Sequence, residues 1–349
     1  MATISLCMIV KNEEENLERC LNSVVDLCDE IVIVDTGSTD RTKDIAAKYT
    51  SRIFDFEWND DFSAARNFAF SKASMEYIYS ADADEELLPE DREKFKILKE
   101  NIVPEIEMVQ MLYVEDGIRT VLNSKEELRP KLYKRERHFV WEDPIHETVR
   151  LQPVVFDSDI RIQHRPKDLH SRRDLSIFEK AYKRDGYLSE NILQMYCKEL
   201  FKWGEADELS NGADILMDME SKGAIPVDLA NEAYTVIAKA KLLSGDEPGF
   251  FKYIMKPVST GDPNSESCVL LAQYYEDKED DAEASVWYIN ALFETLCIMD
   301  IGVKSEANRK KLIHCLNGAA DLCDEKGMDK QQEYYLALAD SLKDREFKY

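Results

Sequence analysis

The sequence predicts an α/β sheet domain followed by an all-α region, and three observations predict it. Short apolar runs alternate with segments of helical period over the first hundred residues, and acidic or small residues close the runs. From about residue 171 apolar residues recur at three- and four-residue steps almost throughout. Apolar runs separated by amphipathic helices build a parallel sheet covered on both faces. A chain of 349 residues has room for two domains, which we place at residues 1–168 and 169–349.

The elements follow in order. Ile4 to Val10 (ISLCMIV) is a strand buried on both faces. It stops at Lys11-Asn12, where Asn12 is expected to cap a helix whose first turn carries Glu13 to Glu15. Leu17, Cys20, Leu21, Val24 and Val25 give that helix its apolar face. A second strand, Ile31 to Val34, ends at Asp35 and opens into Thr36-Gly37-Ser38-Thr39-Asp40. A helix with Ile45, Ala46 and Tyr49 follows, then a strand near Ile53 to Phe56 and a helix from about Phe62 to Ser74. Tyr77-Ile78-Tyr79 is a strand that runs into Asp82-Ala83-Asp84-Glu85. Between 105 and 165 the strands shorten (Met108–Val114, Leu132–Tyr133, Thr148–Leu151, Ile160–Gln163), as in a mixed or antiparallel sheet. Beyond 171 the helical segments pair across Gly, Asp and Pro turns like a degenerate tetratricopeptide array, without a clean 34-residue period.

Composition excludes several classes. Lys plus Arg number 45 against 70 Asp plus Glu, a formal net charge of −25. Such a surface repels phosphate backbones and anionic lipid, so nucleic acid is not an expected partner. No apolar run is long enough for a transmembrane segment, and the start MATISLCMIVKNEEEN has no basic leader, so a cytoplasmic location is expected. Eight scattered cysteines without a Cys-x-x-Cys pair suit buried free thiols better than disulfides or zinc.

Candidate chemistry gathers at strand ends, where an α/β sheet forms its ligand crevice. Asp82-x-Asp84 follows an apolar strand, and such carboxylates hold a divalent cation or a sugar hydroxyl. Asp35 could accept hydrogen bonds from a base or ribose, while Ser38, Thr39 or Asp40 caps the next helix. There is no Gly-x-Gly-x-x-Gly and no Walker sequence. Residues 125–173 hold 12 Lys/Arg against 9 Asp/Glu and four of the five histidines (His138, His146, His164, His170), a cationic strip suited to an anionic ligand.

Four motifs in order, Ser5–Glu13 (SLCMIVKNE), Ile31–Asp40 (IVIVDTGSTD), Trp58–Asn67 (WNDDFSAARN) and Asp82–Glu85 (DADE), resemble family 2 glycosyltransferases of the GT-A fold. The similar branch is bacterial, carries a C-terminal helical repeat region, and includes S-glycosyltransferases that modify bacteriocin peptides. The resemblance implies a GT-A Rossmann-like nucleotide-sugar domain followed by an α-helical tetratricopeptide-like one. It implies that Val10, Asn12 and Glu14 line a uracil pocket, that Asp35 meets the uridine, and that Asp61 and Arg66 face the nucleotide sugar. Asp82 would meet ribose or sugar hydroxyls, and Asp84 a Mn²⁺ or Mg²⁺ ion completed by His164. Trp141–Glu147 (WEDPIHE) resembles the family segment that ends in His-Glu, which implies Glu147 as general base with His146 as the alternative. Asp143 departs from the pattern, which more often has glycine there.

The function expected is inverting, metal-dependent transfer from a UDP-sugar, UDP-glucose or UDP-N-acetylglucosamine, to a peptide or protein side chain. The helical region would grip a polypeptide acceptor or form a homodimer. The alternatives are an inactive interaction scaffold and transfer to a surface glycan. A nucleotidyltransferase would show a glycine-rich basic phosphate loop where this chain has Lys11-Asn12-Glu13-Glu14.

Overall fold

The computed structural model describes residues 1–115, 126–149, 151–165, 171–261, 263–294 and 306–325, with 332–333, 335–337 and 339–340. His170 lies outside the described residues. The chain forms two compact units, Met1–Glu199 and Leu200–Tyr349. The first unit runs past the expected end at 168 and takes in the helix that follows.

In the first unit the elements are β1 (Ile4–Val10), α1 (Leu17–Val24), β2 (Glu30–Asp35), α2 (Thr42–Ala46), β3 (Ile53–Asp55), α3 (Phe62–Lys72) and β4 (Tyr77–Ser80). They continue with β5 (Glu85–Leu87), α4 (Pro89–Asn101), β6 (Met108–Glu115), β7 (Glu126–Lys134), β8 (Trp141–Glu142), β9 (Thr148–Val149), β10 (Val155–His164) and α5 (Ser171–Asp185). Eight strands form one sheet in the order β3-β2-β1-β4-β7-β6-β10-β5, and β8 pairs with β9 apart from it. The first four strands are parallel. β7 joins β4 and β6 antiparallel, β10 returns parallel to β6, and β5 closes the edge antiparallel to β10. The expected mixed sheet is present.

Burial explains the parallel half. Ile4, Leu6, Met8 and Val10 of β1 point into a layer with Leu17, Leu21 and Val24 of α1, while Cys7 faces Val32, Val34, Ala69 and Phe70 on the other side. Both faces are therefore apolar, and the strand reads as an unbroken hydrophobic run. Fully burying one such side chain contributes about 1.5–3 kcal/mol. Cys7, Cys20, Cys197 and Cys268 are buried, and Cys28 and Cys315 are partly buried.

Two local expectations are revised. Asn12 does not cap α1, which starts at Leu17 after Asn16. Asn12 instead adopts a left-handed φ of 56° and ties two loops together: its N–H donates to Ser38 Oγ at 2.9 Å, and its Oδ1 accepts from Thr39 N–H at 2.8 Å. Asn tolerates that conformation better than most residues. β5 and α4 carried no strong sequence signal. β5 has three residues, and α4 shows its core only Phe95 and a few partly buried neighbours.

The second unit is helical among its described residues. The helix α6 (Glu190–Trp203), most of which belongs to the first unit, leads into α7 (Ala206–Ser221), α8 (Ala230–Leu243), α9 (Glu247–Thr260), α10 (Ser265–Asp277), α11 (Asp281–Glu294) and α12 (Glu306–Glu325). Side-chain caps set two of the breaks: Asp246 accepts from Gly249 N–H and Asn264 from Ser267 N–H, both at 3.0 Å. Gly261 ends α9 at φ 79°, a conformation in which a side chain would be strained. No described helix is long and apolar enough to cross a membrane.

Candidate active site

Strand order places the site. β1 is flanked by β2 on one side and β4 on the other; the chain runs outward from β1 to β2 and β3 and then crosses back to β4, and this reversal opens a crevice at the carboxyl end of β1. Val10, Asp35 and Ser80 lie at or beside the ends of these three strands, and Asp82 follows two residues later.

Arg66, on α3, is the hub of the crevice. Its Nε donates to Glu147 Oε1 at 2.8 Å and Nη1 to Ser80 Oγ at 2.8 Å, while Nη2 forms ion pairs with Glu147 Oε1 at 2.6 Å and Asp82 Oδ1 at 3.5 Å. The guanidinium stacks over the Trp141 ring at 4.8 Å. Only the planar, many-donor fork of arginine can serve so many partners at once. Burial by itself would raise the carboxyl pKa of Asp82, but Arg66 and Lys131 beside it hold it down to about 2.

The second group is Asp84 with His164. Asp84 Oδ2 lies 3.1 Å from His164 Nε2, and the Arg165 N–H donates to the Asp84 carbonyl at 3.0 Å, which fixes the end of β10 to the acidic turn. The ring of Tyr113 packs on the His164 imidazole, centroids 4.9 Å apart. Among the described residues no three His, Cys, Asp or Glu side chains gather as a ready metal cage. A carboxylate oxygen and an imidazole nitrogen side by side nevertheless fit a divalent cation that takes its remaining ligands from a diphosphate and water.

Beneath this turn is a buried ion pair that sequence inspection missed. Lys131 donates to Glu85 and stands 4.0 Å from Asp82 Oδ2, while Glu85 Oε2 accepts from the Asp82 N–H at 3.3 Å. Burial raises the Glu85 pKa in spite of the adjacent ammonium. The available signal was the alternation of Arg129 and Lys131 along β7, two cations turned to one face of the strand.

Asp35 is almost fully buried. Its Oδ1 accepts from the N–H groups of Gly37 and Ser38, each at 3.0 Å, and lies 3.6 Å from Lys43 Nζ. Its Oδ2 is buried without a hydrogen-bond partner, an acceptor left for a ligand. Val10 accepts from Thr36 through its carbonyl, so its contribution is backbone. Glu14 instead accepts from Arg41 while its N–H donates to Asp40 at 3.1 Å, so Asn12 and Glu14 both brace the loop at 38–41. Asp61 caps α3, accepting from Ala64 N–H at 3.0 Å, and stands 3.6 Å from Arg184 rather than in the Arg66 cluster.

The segment 141–147 holds the two base candidates differently. Glu147 reaches the Arg66 hub. His146 turns away, stacks on Phe178 with centroids 6.0 Å apart, and leaves its Nε2 buried without a partner. Burial lowers its pKa. Asp143, the departure from the glycine pattern, has a φ of 73°, a conformation that glycine adopts freely and aspartate tolerates.

This architecture is an α/β domain whose ligand crevice lies at the strand ends, with fixed charge on both sides of it. Residues 5–150 match the model for glycosyl transferase family 2. The chain is similar to a TPR repeat-containing protein of Synechococcus elongatus, 52% identical over 90 residues, 26% of this chain and 22% of that protein. It is also similar to the SPbeta prophage-derived glycosyltransferase SunS of Bacillus subtilis, 40% identical over 119 residues, 33% of this chain and 28% of that protein. The matched part thus spans about a quarter of the length of these two relatives. Among solved structures, glucosyl-3-phosphoglycerate synthase from Mycobacterium tuberculosis in complex with Mn²⁺, UDP-glucose and phosphoglyceric acid is 19% identical. That match covers 54% of this chain and 82% of the other, with a TM-score of 0.41.

Proposed function

We propose that this protein transfers a hexose or N-acetylhexosamine from a UDP-sugar to a polypeptide side chain, with inversion at the sugar carbon. The family match of the N-terminal domain supports glycosyl transfer. The observation that carries the fuller reading is Arg66, which links the acid at the end of β4 to Glu147 on the 141–147 segment. One side of that link suits a donor and the other an acceptor.

The unpartnered Oδ2 of Asp35 is the acceptor for an N–H of the uracil ring, with the backbone of Val10 and the braced loop around Asn12 and Glu14 forming the pocket wall. Asp82 takes a ribose or sugar hydroxyl. Asp84 and His164 would hold the cation, and the mixed oxygen and nitrogen pair favours Mn²⁺ over Mg²⁺, which prefers oxygen ligands alone. When bound, the ion would neutralise charge that develops on the diphosphate as the glycosidic bond breaks. Glu147 accepts the proton of the attacking atom. Both Arg66 contacts to Glu147 fall on Oε1, so Oε2 is the oxygen assigned to that proton. Glu147 is preferred to His146 as base because the His146 ring is buried and stacked on Phe178, away from the Arg66 hub.

A cytoplasmic location and a role for the helical unit in acceptor binding or dimerisation belong to the same proposal. Mass spectrometry of turnover across a panel of nucleotide sugars tests it. Release of free sugar and UDP from one or two UDP-hexoses supports the reading, whereas hydrolysis of none, with no UDP binding, removes it.

A further inference from the structure

Behind the 141–147 segment lies a cavity that the donor chemistry does not use. It measures about 810 Å³, the size of a small-molecule or short-peptide pocket, and all of its walls belong to the first unit. One wall is the turn 142–144, a second is Asp61 at the start of α3, and the third is the connection from α5 into α6. Cross-links hold the walls in place. Asp143 accepts from Ser189 Oγ at 2.8 Å and from Asn191 Nδ2 at 3.3 Å, and the Phe62 N–H donates to the Pro144 carbonyl at 2.8 Å. The cavity is therefore pre-formed rather than a gap between loose loops.

Its charge separates it from the donor site. Five carboxylates, Asp61, Glu142, Asp143, Asp185 and Glu190, line it against the single guanidinium of Arg184. A nucleotide diphosphate would be repelled from such a cavity. The exposed ring of Tyr187 adds an apolar face that could pack on an aliphatic stem or stack with a cation. Glu147 is three residues beyond Pro144, so at most about 10 Å of chain separates it from the cavity wall.

We propose that this cavity is the acceptor subsite and that it selects a polypeptide segment carrying lysine or arginine beside the residue to be modified. The inference rests on the reading of the domain as a glycosyltransferase and adds the class of acceptor. A basic side chain occupies the cavity, its stem lies against Tyr187, and the neighbouring nucleophile is left within reach of Glu147. The chain as a whole carries a net charge of −25, so long-range attraction steers the same ligand.

The test uses the full chain and two fluorescent peptides of equal length around one Ser or Cys, one with flanking lysines and one with flanking glutamates, with spermine as a competitor. The lysine peptide should bind at least tenfold more tightly than the glutamate peptide and weaken as salt is raised. In a double variant, Asp185→Lys with Glu190→Lys, both at exposed positions, its affinity should fall at least tenfold. Tyr187→Ala should weaken it about threefold. Equal binding of the two peptides, or an affinity indifferent to the double variant, would overturn the proposal. Displacement by spermine at the peptide's own affinity would overturn the assignment to a polypeptide. UDP binding by the native chain is measured separately, so failure of the donor reading is told apart from failure of this one.

Discussion

The guanidinium of Arg66 lies between Glu147 and Asp82, 2.6 Å from the first and 3.5 Å from the second. A strand-end acid and a side chain from the connection between β8 and β9 are thereby held at one point, although 65 residues of sequence separate them. Donor and acceptor groups placed on either side of this bridge would meet in a fixed orientation, the condition under which positioning lowers a barrier most.

Replacing Arg66 by lysine keeps the charge and loses the fork. One ammonium cannot reproduce two hydrogen bonds to Glu147 and Ser80 together with the ion pairs to Glu147 and Asp82. Transfer by Arg66→Lys should fall at least tenfold in kcat/KM. Arg66→Ala, which leaves Glu147 without its partner, should also cost about 3 kcal/mol in urea denaturation. Native-like transfer by the lysine variant would show that charge alone suffices.

The two base candidates give opposite expectations. Glu147→Gln should retain UDP affinity while transfer drops by roughly 10²–10⁴. His146→Phe, which preserves the stack on Phe178, should keep transfer within about threefold. Stopped transfer in the histidine variant together with normal transfer in the glutamine variant would move the base to His146.

Acid titration reports on Asp82. Its pKa is held at about 2 in the folded chain against an ordinary 3.8, so the unfolded chain binds more protons in that interval. The stability that Asp82 contributes is complete above 3.8 and is lost as pH falls through about 2. Its carboxylate is 40% exposed, so solvent screening reduces that contribution to about 1 kcal/mol. An Asp82→Asn chain should show a correspondingly flatter loss of stability between pH 4 and pH 2 in chemical denaturation, and an unchanged slope would mean that the cations do not act on Asp82.

Much of this was legible in the residues. β1, β2 and β4 announced themselves because burial on both faces writes an unbroken apolar run, and the acids closing such strands could be placed in the crevice from strand polarity alone. The pairing of Asp84 with His164 depends on β10 lying beside β5, an antiparallel contact between residues 80 apart. Resemblance suggested that pair, and spacing did not. The Lys131–Glu85 pair was hidden because a charged residue in a strand usually marks solvent, and here each charge is buried only because the other is present. The side chain of Asn12 braces a loop and that of Asp61 caps a helix, contacts the sequence did not show. Such local bonds depend on backbone conformation, which an isolated sequence does not reveal.

The central claim is that Asp84, with His164, couples a divalent cation to a nucleoside diphosphate. Calorimetric titration of UDP into the native chain and into Asp84→Ala, each with and without Mn²⁺, tests it most directly. UDP should bind the native chain roughly 10- to 100-fold more tightly with Mn²⁺ present, and the variant should lose that difference while it keeps its folded far-ultraviolet spectrum. Equal UDP affinity with and without the ion in the native chain, or an undiminished gain in the variant, would contradict it.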